Sequence, residues 1–316
     1  MRIAADRSSG GGGAGAGYGA LAVLLASLLW GTTGTAAAMA PGVSALTIGA
    51  AAMGIGGVLQ YLVAARLVHR FRRTLAGQAR LLFLSAVAVA VFPLAFYSSM
   101  RLAGVAVGTV ITIGSAPPAA ALIERIMDRA PLSLRWAVGT AIGLAGVLAL
   151  AVARSGEGGG PATDAGGPLL GIGLGLLAGA SYALYSWGVG RIIRTGVPSR
   201  AAMGATFGIG GLLLLPVLAV GGHTILASAG NMAAAAYLAL VPMFVGYLLF
   251  GYGLAHVSAS TATTISLAEP AAAAIIAVLV LHERLAPLGW VGVVLLFVSL
   301  AVTSLPVGAT SPMARD

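Results

Sequence analysis

The chain has 316 residues, of which 59% are hydrophobic and only 8% charged. A soluble domain carries about 25% charged residues, so these proportions argue against a single water-soluble domain, and so much apolar content excludes a mainly disordered chain. Net charge is +9 and cysteine is absent, which removes disulfides, thiolate metal ligands and cysteine nucleophiles from consideration.

In chain order, ten mostly apolar runs occupy approximately 18–39, 44–65, 81–100, 102–123, 134–153, 168–190, 201–221, 232–254, 257–281 and 286–305. Each is close to the roughly 20 residues that cross a hydrocarbon core. The runs are continuous instead of alternating polar with apolar, so helices are predicted and a β-barrel is not. The expected class is an all-α integral membrane protein of ten transmembrane helices, with the lipid bilayer as its first partner. Residues 1–17 read as a flexible tail with Arg2, Arg7 and a glycine run, 306–316 as a second tail, and no signal-peptide cleavage region follows the first run.

Every basic residue is an arginine, and the arginines cluster between runs without interleaved aromatics. That pattern suits membrane topology and not nucleic-acid binding. Arg66, Arg70, Arg72, Arg73 and Arg80 lie between runs two and three; Arg125, Arg129 and Arg135 between four and five; Arg191, Arg194 and Arg200 between six and seven. With ten spans and a cytoplasmic amino end, these and Arg2, Arg7 and Arg315 all fall inside, while Arg101, Arg154 and Arg284 fall outside. Both termini are therefore expected in the cytoplasm of a multi-pass cell-membrane protein.

The polar link 154–167, RSGEGGGPATDAGG, follows the fifth run and has the composition of a flexible linker. It divides the chain into halves at 18–153 and 168–305. Five spans is an odd number, so the second half enters from the opposite face, and two halves of one fold form an inverted pair. Secondary transporters recurrently use this plan, with substrate bound where the halves meet. Setting Pro117 against Pro270 supports it: each is followed by an alanine-rich stretch, an acidic–arginine pair and a Pro-Leu, with spacings that differ by three residues.

Candidate cavity residues follow from chemistry misplaced in an apolar setting. Trp30-Gly31-Thr32-Thr33-Gly34-Thr35 offers three hydroxyls beside two glycines, either facing a pore or bonded back to the helix carbonyls. Run nine is the most polar, from Ser258 through Thr264 to Glu269. An acidic residue so deep must be paired, wet or neutral for part of a cycle, which suggests proton or solute coupling; a structural Glu-Pro cap is the alternative. Tyr182 and Tyr185 provide apolar faces with hydroxyls. Pro117, Pro118 and Pro270 remove helix hydrogen bonds and are candidates for kinks or gating. Gly139, Gly143 and Gly146 give run five a small face, either packed internally or forming a homodimer seam. The four histidines make no spaced cluster with carboxylates, so neither metal nor cofactor is expected. No P-loop, GxSxG or HExxH appears.

The segments WGTTGTAAAMAP at 30–41, SLAEPAAAAIIAVLVLHERLAPLGWVG at 266–292 and, more weakly, SAPPAAALIERIMDRAPL at 115–132 resemble the EamA family of the drug/metabolite transporter superfamily, over roughly 18–305. The resemblance implies two inverted five-helix repeats, a cavity formed by spans one to four and six to nine, and export or exchange of small metabolites, amino acids among them. By it, Trp30, Thr33, Glu269 and Pro270 match motif positions, whereas Ala116 stands where a glutamate would precede Pro117. The expected function is secondary transport of amino-acid-like or drug-like solutes by alternating access, and not enzyme catalysis. A membrane-embedded enzyme, a channel and a non-transporting receptor are the alternatives.

Overall fold

A computed structural model describes residues 11–103, 105–155, 167–280 and 286–304. The outer part of the expected amino-terminal tail, all of the carboxy-terminal one, Gly104, most of the linker, and His282, Glu283 and Arg284 lie outside the described residues. Within them the chain is helical, with no strand. The helices are α1 (Gly11–Gly31), α2 (Thr33–Ala38), α3 (Ala45–Arg70), α4 (Arg72–Gly77), α5 (Ala79–Ala103), α6 (Val105–Met127) and α7 (Leu134–Ser155) in the first half. The second half contains α8 (Gly167–Arg194), α9 (Ser199–Gly221), α10 (Ala229–Leu238), α11 (Tyr247–Leu254), α12 (Ala259–Ile265), α13 (Ala268–Val280) and α14 (Pro287–Ser304). A π-helical stretch, Ala239–Gly246, joins α10 to α11. The first helix starts at Gly11, inside the stretch expected as a tail.

Among the described residues eight helical segments are long and apolar enough to cross a membrane, against the ten spans expected; a further helix, Pro287–Thr303, is apolar but shorter. The difference centres on run nine, which is two helices, α12 and α13, separated at Ser266 and Leu267. Pro270 accounts for the position of the break. Its ring collides with the carbonyl four residues earlier, that of Ser266, and it has no N–H to donate there. The Ser266 carbonyl instead accepts from Glu269 N at 3.0 Å. Pro270 thus sits in the first turn of α13, where a missing N–H costs little. Pro117 and Pro118 lie inside α6, which runs on without interruption.

Between α2 and α3 the chain turns at Pro41-Gly42, and Gly42 takes φ +82, a left-handed conformation suited to glycine. This separates the first two apolar runs.

Packing pairs α3 with α9, α5 with α8, α7 with α14, α6 with α12, and α1 with α11 and α13. The α7–α14 seam depends on small residues. A Cβ on Gly146 would stand 2.9 Å from the Gly292 carbonyl, and one on Gly292 would stand 2.7 Å from that of Gly146. Gly139 and Gly143 face Thr303 and Ser299 of α14, and Ser299 donates to the Gly139 carbonyl at 2.7 Å. The small face of run five is therefore used within the chain.

The arginine clusters gather at one end of the bundle. Gly204, near the start of α9, packs on Ala64 near the end of α3, while Arg191 and Arg194 of α8 both reach Asp128 just past α6. Trp187 Nε1 donates to the same carboxylate at 2.8 Å.

Candidate central cavity

Toward the opposite end from the arginines, the helices leave a cavity of about 520 Å³ of space free of protein atoms, part of it open to solvent. Both halves line it. Trp30, Thr33, Met53, Phe92, Tyr97 and Ile113 come from the first, and Tyr182, Met243, Tyr247 and Glu269 from the second.

The wall is largely aromatic. Trp30 lies 4.8 Å from Tyr247 and 6.3 Å from Tyr182 between ring centroids, the latter nearly perpendicular at 83°. Phe92 stacks on Phe96 at 5.7 Å and tilts onto Tyr182 at the same distance. Trp30 is held from behind: its Nε1 donates to the Pro242 carbonyl at 3.0 Å, within the π-helical stretch. Gln60 Nε2 donates to the next carbonyl, that of Met243, at 3.2 Å. Wider π-helical winding thus coincides with two carbonyls held by side chains from α1 and α3.

The break in run nine puts Glu269 in the first turn of α13, where the helix dipole favours negative charge. Glu269 is partly exposed to the cavity. Among the described residues no side chain donates to it and no arginine pairs with it.

The residues singled out from sequence are distributed unevenly. Trp30, Thr33, Tyr182 and Glu269 line the cavity together. The Thr33 hydroxyl donates to the Trp30 carbonyl at 2.6 Å and that of Thr32 to the Leu29 carbonyl at 2.6 Å, so both are bonded back to carbonyls at the end of α1. Thr32 also accepts from Tyr237 at 2.9 Å and lies outside the lining. Tyr185 is a layer behind, its hydroxyl 3.0 Å from that of Tyr247. Thr264 faces α7, with Trp136 Nε1 donating to its hydroxyl at 3.1 Å and the Thr140 hydroxyl at 3.1 Å. Pro117, Pro118 and Pro270 are absent from the lining residues.

Sequence reasoning missed Phe92, Pro93, Phe96 and Met243 of the lining. It also passed over Glu124, which is buried at the end of α6 and accepts from Ala259 N at 2.7 Å and Ser260 N at 3.3 Å. A carboxylate from the first half thereby caps α12 of the second. The available signal was a glutamate near the end of one apolar run with the polar Ser258-Ala259-Ser260 opening another.

The sequence matches the EamA-like transporter family over residues 17–152 and again over 169–305. The chain belongs to this family. Through it the protein is a member of the drug/metabolite transporter superfamily and a multi-pass membrane transporter. It is 34% identical over 286 residues to a Bacillus subtilis (strain 168) protein described as the uncharacterized transporter YwfM, covering 90% of this chain and 93% of that one. A solved crystal structure shares its fold, with a TM-score of 0.71 and 18% identity over 90% of this chain and 96% of the other.

Proposed function

We propose that this EamA protein is a secondary carrier that exports or exchanges small amino-acid-like or drug-like solutes by alternating access, with the central cavity as its binding site. The observation that carries the proposal is a cavity built jointly by two halves, each matching the same family unit. In this reading the broken α12–α13 pair and α14 make the ninth and tenth crossings, and the halves insert with opposite orientation. The helix pairings support an inverted arrangement. Moving every span five places along carries the α5–α8 pairing onto the α11–α1 pairing, and α3–α9, α6–α12 and α7–α14 onto themselves.

The arginine bias supports a cytoplasmic Asp128 end, and cytoplasmic termini, in a cell-membrane protein. In this reading the contacts of Asp128 with Trp187, Arg191 and Arg194 tie the two halves together at the inner end, and the aromatic cavity lies nearer the outer face. Alternating access breaks this tie and closes the aromatic end. A solute drives the exchange only by binding the two states unequally. Glu269 is the group through which protons or a second solute would couple.

The deciding experiment is counterflow of a metabolite panel with purified protein in liposomes. Saturable uptake accelerated by preloaded solute is expected. Non-saturating flux indicates a channel, and no flux for any solute removes the carrier reading. Repeating an active solute across a pH series with Glu269→Gln tests the coupling; an unchanged rate and profile eliminates it.

A further inference from the structure

The charge pattern of the cavity narrows the solute class. Among the lining residues Glu269 is the only charged side chain. Two donors are already committed, Trp30 Nε1 to the Pro242 carbonyl and the Thr33 hydroxyl to the Trp30 carbonyl, and the Tyr247 hydroxyl is paired with that of Tyr185. Tyr182 is 2% exposed and its hydroxyl lies beside Ser266 without a hydrogen bond of normal geometry. The cavity therefore offers one carboxylate without a cationic partner among the described residues, tyrosine hydroxyls and aromatic faces.

The carboxylate and the aromatic faces select charge of the same sign. A ring presents a negative face that attracts ammonium groups, and several rings around one cation make an aromatic cage. Here Phe92 and Phe96 are almost parallel at 7°, while Tyr182 stands 56° from Phe92 and 83° from Trp30. The lining rings thus stand at several angles to one another, which suits a compact head with an apolar body better than a flat plate. An anion finds no arginine among the lining residues and meets Glu269. A zwitterion brings its own carboxylate into the same conflict.

We infer that the cavity takes solutes of net positive charge on an apolar or aromatic body, that is, organic amines and quaternary ammonium compounds. Glu269 supplies the counter-charge and Trp30, Phe92, Tyr182 and Tyr247 the cage. The inference rests on the cavity being the carrier's binding site, and it names the class within that reading.

The test is isothermal titration of the purified full chain with three probes that share a phenyl body: benzyltrimethylammonium, phenylalanine and phenylacetate. The same probes are then measured in liposome counterflow. Saturable binding of benzyltrimethylammonium is expected, with the other two at least tenfold weaker. Glu269→Gln should weaken the cation at least tenfold, and Phe92→Leu several-fold, each checked for an unchanged elution profile and melting curve. Should Glu269→Gln not fold, Phe92→Leu and the order of the three probes still decide. Equal or tighter binding of phenylalanine or phenylacetate, absence of cation binding, or a cation affinity indifferent to both substitutions overturns the inference. The two readings fail separately. Counterflow of zwitterions or anions without cation binding keeps the carrier and discards the class; Glu269-dependent cation binding without counterflow of any solute does the reverse.

Discussion

Removing the Glu124 side chain tests whether the two halves are joined through the cap of α12. Glu124 Oε1 accepts from the backbone N–H groups of Ala259 and Ser260 at 2.7 and 3.3 Å, and the residue is 5% exposed. Glu124→Ala leaves two donors at a buried helix start with no acceptor from α6. A buried donor stripped of its partner costs about 1–3 kcal/mol, and the second bond is long, so the expected loss is about 2–4 kcal/mol. At about 2–4 °C per kcal/mol for a large domain, melting should fall by roughly 5–15 °C. Glu124→Gln keeps an acceptor oxygen and loses only the charge, so it should recover half or more of the deficit. The assay is thermal unfolding of detergent-purified protein followed by loss of the monodisperse peak. Equal melting temperatures for wild type and Glu124→Ala would refute the reasoning. Equal losses for Ala and Gln would show that charge, and not the acceptor, matters.

Other expectations follow from the same contacts. Because the chain has no cysteine, a single cysteine in place of Ala130 beside the Asp128 cluster can be labelled without background; Asp128→Asn should speed its labelling about two- to tenfold. That modest range reflects Arg191 and Arg194 side chains that are 46% and 52% exposed, for which ion pairs contribute little. Pro270→Ala restores a donor for the Ser266 carbonyl and should raise the melting temperature by a few degrees while slowing counterflow, both relative to wild type. Gly57→Ala places a Cβ 2.3 Å from the Phe207 carbonyl, and a forced shift of that kind costs about 1–3 kcal/mol; reduced melting temperature checks it. Trp30→Phe removes the donor to the Pro242 carbonyl and should lower melting by several degrees, with Trp30→Ala falling further.

The fold was readable where a single quantity decides it. Apolar length identified the runs that stand as eight long helices, and the arginine clusters marked helix ends that gather at one end of the bundle, because charge at a span end is costly to misplace. The run read as 44–65 extends as α3 to Arg70, since arginine stems lie along the apolar surface while their heads reach water. What escaped was which way each side chain faces. These helices are apolar nearly all round, so the polar stripe that reveals rotation in a soluble helix is missing. Tyr182 and Tyr185 are three residues apart on one helix, yet one lines the cavity and the other lies behind it. Thr264 and Glu269 share run nine, but the break between them points Thr264 to α7 and leaves Glu269 on the cavity.

Acidic groups at helix ends illustrate the same division in energetic terms. Glu124, Asp128 and Glu269 all lie at or near helix ends, and sequence alone ranks Glu269 as exceptional only because its run continues beyond it. In the structure each is separated by its partners. Glu124 is satisfied by backbone donors, Asp128 by an indole and two guanidinium groups, and Glu269 by no donor from the described side chains. A carboxylate that completes a fold is matched within that fold, since leaving it unmatched in a dry interior is strongly destabilising. One left unmatched at a cavity wall keeps its capacity to bind something from outside. Glu269 is distinguished from the other two by that open valence, and not by depth.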